Sequence, residues 1–208
     1  MPVQWIFFDV GYTLVNEDAV WLERCREQAA LTPGLTPEEI FAAIIEASRA
    51  YLPQYRTVAD RYGFARIAPY REALETLYPD ALPTLQALCG PYRLGVIANQ
   101  SAGLEDRLKF FGIRDYFSCV VSSWESGVMK PDPAIFRLAL ERAICPADQA
   151  LMVGDRLDND IFPAKALGMK TIWIRQGLGA YQTPRSPAYT PDGTVDRLSD
   201  LPGVVSAL

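Results

Sequence analysis

The sequence predicts an α/β protein: a parallel sheet flanked by helices, with a small helical segment inserted after the first strand. Three observations predict it. An apolar run, "WIFF", opens the chain and stops on a carboxylate, Asp9. From Asp18 to Leu77 the texture is helical and no strand is credible. From Pro79 onward, stretches of strand character alternate with stretches of helical spacing, which reads as β-α-β units and a parallel sheet.

Each element can be justified in order. The first strand is followed by Gly11 and a Thr13-Leu14 pair. The helical stretch contains "DAVWLERCREQAAL", "TPEEIFAAIIEASRAYL" and "APYREALETLY". In the second of these Thr36 is an N-cap, Pro37 takes the first helical position and Glu39 lies three residues on. Ile40, Phe41, Ile44 and Ile45 then recur at helical spacing and should form one buried face. The alternating part runs helix "ALPTLQALC", strand "RLGVIAN", helix "GLEDRLKFF", strand "FSCVVSS", helix "AIFRLALERA", strand "QALMVGD", helix "DIFPAKALG" and strand "KTIWIR". "TPRSPAYTPDG" is a Pro-rich surface loop, and "TVDRLSDLPGVV" closes the chain as a short strand or helix. The expected division is residues 1–15 with 78–208 as the sheet core, and 16–77 as the helical part.

Composition excludes several function classes. The chain has 208 residues, enough for one sizeable core with a smaller appendage. A net charge of −5 gives no attraction to nucleic acid or to an anionic membrane, so an anionic substrate would need a metal ion or placed Lys and Arg. No apolar run approaches a membrane span, and the early strand leaves no room for a signal or transit peptide. Cys25, Cys89, Cys119 and Cys145 form no CxxC and are expected to be reduced, buried, structural thiols, which points to a cytoplasmic location. Histidine is absent, which removes His-based triads and His-ligated zinc. Oxygen ligands remain, and with them a hard metal such as Mg²⁺.

Polar residues collect where an open parallel sheet binds ligands, at the carboxyl ends of strands. The first strand ends on Asp9, the second on Asn99, and "ALMVGD" on Asp155, while "SGVMKPDP" places Lys130 just before a helix. Two carboxylates and a lysine in one crevice make a site for a divalent cation and a phosphate. Each residue alone has a plainer reading. Asp9 and Asp155 could form turns, Lys130 could be a solvated loop lysine, Asn99 could hold a tight turn, and Asp158 and Asn159 could cap the helix near Asp160.

Order and spacing together carry more. "FFDVGYTL", "GVIANQ", "SGVMKPDPAIF" and "VGDRLDNDIFPAKALGM" resemble the four motifs of the haloacid dehalogenase (HAD) superfamily over nearly the whole chain, and the helical insertion resembles its C1-type cap. The resemblance implies a Rossmann-like core of strand order 5-4-1-2-3. It implies that Asp9 is a nucleophile forming an aspartyl-phosphate, and that Mg²⁺ is held by Asp9, the Gly11 carbonyl and Asp155, with Asp160 supporting the metal shell. Lys130 would contact Asp9 and the phosphoryl group, and Asn99 would position the substrate or the lysine. Gln100 and Ser101 are further candidates for substrate contact.

Two departures from the family pattern matter. Its phosphatases usually carry a second Asp two residues after the nucleophile, as general acid and base; here Gly11 stands there. Ala98 stands where the family offers Ser or Thr to a phosphate oxygen, and Ser101 or the Asn99 amide is the available replacement. The expected function is a Mg²⁺-dependent phosphatase acting on a small phosphorylated metabolite, as monomer or homodimer. The alternatives are a non-catalytic phosphate-binding protein and a metal-free 2-haloacid dehalogenase. An Asp restored at position 11 should raise turnover, unless another proton donor, sought in the helical insertion, is already in use. Arg24, Arg49, Tyr51, Arg56 and Tyr62 of that insertion are candidate substrate contacts, though most are expected to be solvated or packing side chains. The segment from Arg175 to Tyr189 could lie near the site mouth.

Overall fold

Residues 2–208 are described by a computed structural model of the chain. The strands are β1 (Trp5–Phe8), β2 (Val15–Asn16), β3 (Thr76–Leu77), β4 (Arg93–Ala98), β5 (Phe117–Ser122), β6 (Ala150–Gly154), β7 (Lys170–Ile174) and β8 (Gly193–Val195). The α-helices are α1 (Asp18–Leu31), α2 (Pro37–Arg49), α3 (Gln54–Tyr62), α4 (Ala81–Leu88), α5 (Leu104–Phe110), α6 (Ser123–Ser126), α7 (Pro133–Ala143), α8 (Phe162–Ala166) and α9 (Leu201–Val205).

Six strands form one parallel sheet in the order β5-β4-β1-β6-β7-β8. Its first five strands follow the expected order, and β8 extends the edge beyond it. The run "WIFF" is apolar at every position because β1 lies in the middle of the sheet with both faces covered. Ile6 and Phe8 pack with Leu85 and Leu88 of α4 and Leu104 and Leu108 of α5. Trp5 and Phe7 pack on the other face with Phe136 and Ala139 of α7 and Ala164 of α8. The closing segment "TVDRLSDLPGVV" supplies both a strand, β8, and a helix, α9.

Helices α1 to α3 bury a separate cluster, with Trp21, Cys25, Ile40, Ile44, Tyr55 and Val58 joined by Tyr12 and Leu178 from the sheet side. The N-terminus of α2 carries a complete capping box: Thr36 Oγ1 accepts from Glu39 N at 3.2 Å, and Glu39 Oε2 accepts from Thr36 N at 2.8 Å. Ile40 and Ile44 are fully buried, whereas Phe41 and Ile45 flank them half-buried.

Three expectations change. "APYREALETLY" is not a helix. It holds one 3-10 turn (Glu72–Leu74) and then β3, which pairs antiparallel with β2. Pro69 disfavours helical geometry at Ala68, and pairing with β2 closes the helical excursion on itself, so tertiary context overrides local propensity. The third helix is instead α3, introduced by Pro53 and ended by Gly63 at φ +62°. Its apolar signal is thin, since Tyr55 and Val58 are its only buried residues. All four cysteines are free, but Cys89 is exposed where α4 ends rather than buried. Among the described residues no helix is long and apolar enough to cross a membrane.

The capping box generates a direct test. Thr36→Ala should cost about 1 kcal/mol, read as a lower urea midpoint at unchanged slope.

Candidate active site

The parallel register of the central strands brings distant residues together. Phe8 on β1 lies beside Val153 on β6 and Val96 on β4, so Asp9, Asp155 and Asn99 leave the sheet at one end. Asp9 N donates to Val153 O at 2.9 Å, which fixes the start of the loop after β1. The carbonyl of Val10 then accepts from the amides of Thr13, Leu14 and Val15, folding that loop into a tight knot.

One oxygen from each of Asp9, Asp155 and Asp160 lies within 4.8 Å of the others. Lys130 is buried among them, and its Nζ donates to Asp9 Oδ1 at 2.7 Å and to Asp160 Oδ1 at 2.6 Å. Asn99 fixes this lysine through its backbone: Asn99 Nδ2 donates to Lys130 O at 2.8 Å, and Lys130 N donates to Asn99 Oδ1 at 2.7 Å. Both amide atoms of Asn99 are thereby used on the lysine. The second oxygen of Asp160 accepts from Arg156 N at 3.0 Å. Gly154 makes this approach possible, because a Cβ there would stand 2.5 Å from Asp160 Cβ.

The turn carrying Asp160 is a π-type turn, Leu157–Ile161, that starts earlier than the sequence suggests. Asp158 does not cap it. Its carboxylate pairs with Arg156, with Nη2 to Oδ2 at 2.5 Å, and accepts from Gln182 Nε2 at 2.8 Å. Arg156 also donates to Gln54 Oε1 of α3 at 3.0 Å. Its guanidinium is thus hydrogen-bonded to Asp158 and α3, while its charge still acts on Asp155.

Charge decides what the cluster can accept. Three carboxyl groups face one ammonium in a buried space, so acids outnumber the cation. Burial pushes the Asp155 carboxyl well above its usual range, and the neighbouring charges of Asp160 and Asp9 push it further. Burial likewise raises Asp160, to about 6, against the opposing pull of Lys130. Burial would lower Lys130, but Asp160 and Asp9 outweigh it and hold the ammonium above its ordinary value. An all-oxygen cluster in which acids outnumber the ammonium fits a hard dication. Asp9 and Asp155 are the residues that could hold it directly, with Asp160 behind them because both of its oxygens are already engaged.

These groups open into a cavity of about 180 Å³ lined also by Gly11, Asn99, Gln100 and Asn159. Ser101 is not among its walls. It lies in an adjoining outer cavity, where its hydroxyl meets Glu72 Oε1 at 3.4 Å. Ala98 is buried in the apolar core under the sheet end and offers the cavity nothing. Arg24, Arg49, Tyr51, Arg56 and Tyr62 do not line the cavity. Arg24 lies over Tyr55, Arg49 near Tyr181, and Tyr51 donates to Thr183 O at 2.8 Å. Arg56 pairs with Asp60 at 3.9 Å, and Tyr62 stacks on Phe64. The walls that sequence reasoning missed are Tyr12, Glu17, Trp21, Gln54, Arg156 and Leu178. Leu178 comes from the segment suspected of lying near the mouth. Glu17 is pushed up to about 7 by burial, against the pull of Arg107 and a hydrogen bond from Trp21.

The haloacid dehalogenase-like hydrolase pattern matches residues 6–174. The chain belongs to that family. It is 32% identical to a glyceraldehyde 3-phosphate phosphatase of Methanopyrus kandleri, an alignment covering 98% of this chain and 97% of the relative. Among solved structures, a HAD phosphatase from Thermococcus onnurineus superimposes with a TM-score of 0.69 at 25% identity, covering 98% of each chain. An L-2-haloacid dehalogenase superimposes with a TM-score of 0.77 at 22% identity, covering 99% of this chain and all of its own, which is a likeness of fold. The protein is therefore a HAD-like hydrolase.

Removing the lysine tests the electrostatic account. Lys130→Met leaves buried carboxylates without their cation and should cost about 3 kcal/mol or more in metal-free buffer, read by urea denaturation at neutral pH.

Proposed function

We propose that this hydrolase is a Mg²⁺-dependent phosphatase that cleaves a small phosphomonoester through a phosphoryl group carried on Asp9. The observation that carries the reading is the Asp9 carboxylate at the cavity floor, with one oxygen held by Lys130 Nζ at 2.7 Å and Asp155 and Asp160 alongside. The phosphatase names of the M. kandleri relative and of the T. onnurineus structure support it. Glyceraldehyde 3-phosphate belongs to the small phosphomonoesters, and a cavity of about 180 Å³ suits a substrate of that size.

Asp9 would attack phosphorus in line, and water would then release phosphate and free the carboxylate, two easier steps replacing one hard one. Lys130 Nζ, 2.7 Å from Asp9 Oδ1, aims the carboxylate, and its ammonium would stand beside the transferring phosphoryl oxygens. Asn99 acts one step removed, by holding the lysine's backbone. Mg²⁺, held by Asp9, Asp155 and the Gly11 carbonyl with Asp160 behind, would supply the positive charge that lets an anionic nucleophile meet an anionic substrate. Tyr12, Trp21 and Leu178 keep the cavity partly closed to water.

Phosphate release from p-nitrophenyl phosphate should require Mg²⁺, and chloroacetate should yield no chloride. Asp9→Asn should abolish the reaction while leaving the circular dichroism spectrum of the folded protein unchanged; full activity in that variant rules out the nucleophile. Mg²⁺ at about a hundredfold over its Kd should stabilise the fold by about 2.7 kcal/mol, a Tm rise of several degrees. Asp155→Ala should remove that rise.

A further inference from the structure

The phosphatase reading leaves one chemical need unmet at residue 11. When Asp9 displaces an alkoxide from phosphorus, the departing oxygen must gain a proton, and the water that later attacks must lose one. Gly11 has no side chain to serve either step. The space its side chain would fill is nevertheless taken. A Cβ on Gly11 would overlap Glu17 Oε1 and stand 3.1 Å from Glu17 Cδ.

We propose that the Glu17 carboxyl is the general acid and base of this enzyme, reaching from the start of α1 into the place vacated at Gly11. Glu17 lines both the inner cavity, with Asp9, and the outer cavity that adjoins it. It therefore stands on the path between the phosphoryl group and the part of the substrate that leaves. Its side chain is 12% exposed, so bulk water competes poorly for that position.

Glu17 has structural neighbours in Trp21, Arg107 and Tyr70, and none of them takes the space above Gly11. Glu17 occupies the N-cap position of α1, yet its side chain makes no capping bond. Arg107 binds Glu75, with Nε to Oε2 at 2.7 Å and Nη2 to Oε1 at 2.6 Å, and its Nη2 stands at a longer 3.6 Å from Glu17 Oε1, beyond hydrogen-bond reach. Trp21 Nε1 donates to Oε2 at a long 3.3 Å. Oε1, the oxygen nearest Gly11, keeps Arg107 as its charged neighbour.

The proton balance closes over two steps. In the first, the Asp9–phosphorus bond forms, the phosphorus–oxygen bond to the alcohol breaks, and the Glu17 proton passes to the departing oxygen. In the second, the Glu17 carboxylate takes a proton from water as its oxygen bonds to phosphorus and Asp9 leaves as carboxylate. Glu17 ends protonated, as it began.

The inference rests on the phosphatase reading, and its test separates the two. Purified wild type, Glu17→Gln, Glu17→Ala, Glu17→Ala/Gly11→Asp and Asp9→Asn would be compared with Mg²⁺ on p-nitrophenyl phosphate and glycerol phosphate. A nitrophenolate leaves without a proton, whereas an alkoxide does not. Glu17→Gln should therefore lose about 10²–10⁴-fold in kcat/KM on glycerol phosphate and tenfold or less on p-nitrophenyl phosphate. With the latter it should show a burst of one nitrophenolate per enzyme, because the base for the second step is missing. Gly11→Asp in the Glu17→Ala background, where the new side chain has room, should recover at least tenfold on glycerol phosphate. Equal losses on both substrates, no loss, or no recovery in the double variant would overturn the proposal. If Glu17→Gln stays fully active while Asp9→Asn is silent, only the Glu17 assignment falls. A silent wild type removes both.

Discussion

The Lys130 ammonium, buried between Asp9 and Asp160, is the contact on which the rest of the site depends. A buried carboxylate without a partner is costly, and three of them packed within 4.8 Å would repel one another strongly. Lys130 offsets one charge and leaves the acids in excess, an arrangement that suits a small dication rather than a closed ion pair. The same ammonium restrains Asp9, the proposed nucleophile. In the proposed reaction one residue therefore joins fold stability, metal binding and reactivity.

Backbone arrangements make that contact possible. The parallel register of β1 and β6 sets Asp9 and Asp155 side by side, and Asn99 clamps the lysine's main chain from the neighbouring strand β4. Gly154 admits Asp160 from above. Local irregularities, the knotted loop after β1 and the π-type turn before α8, aim side chains that regular structure would point elsewhere.

Much of this was legible in the sequence. Apolar runs bounded by carboxylates marked the strands, and the α2 capping box was written in Thr36, Pro37 and Glu39. Asp9 and Asp155 converge as their positions at strand ends implied, with Lys130, read just before a helix, and Asp160, which the family resemblance supplied. Other features depend on contacts that no local pattern encodes. Pairing of β2 with β3 overrode helical propensity around Leu77. Asp158 looked like a cap but answers to Arg156 and Gln182, and Ser101 turned outward to Glu72. Glu17 gave one signal, its nearness in sequence to a glycine where an acid was expected. Only three dimensions show that its carboxyl overlies that glycine.

Arg156 directly follows Asp155 in the chain, and its guanidinium reaches Gln54 at the start of α3. Gln182 likewise holds the Leu157 amide while donating to Ser48 O of α2. The roof over the cavity is thus tied to the backbone beside its floor. Any displacement of α2 or α3 relative to the sheet would pull on the peptide beside Asp155, so the seat of those helices and the aim of that carboxyl are mechanically linked.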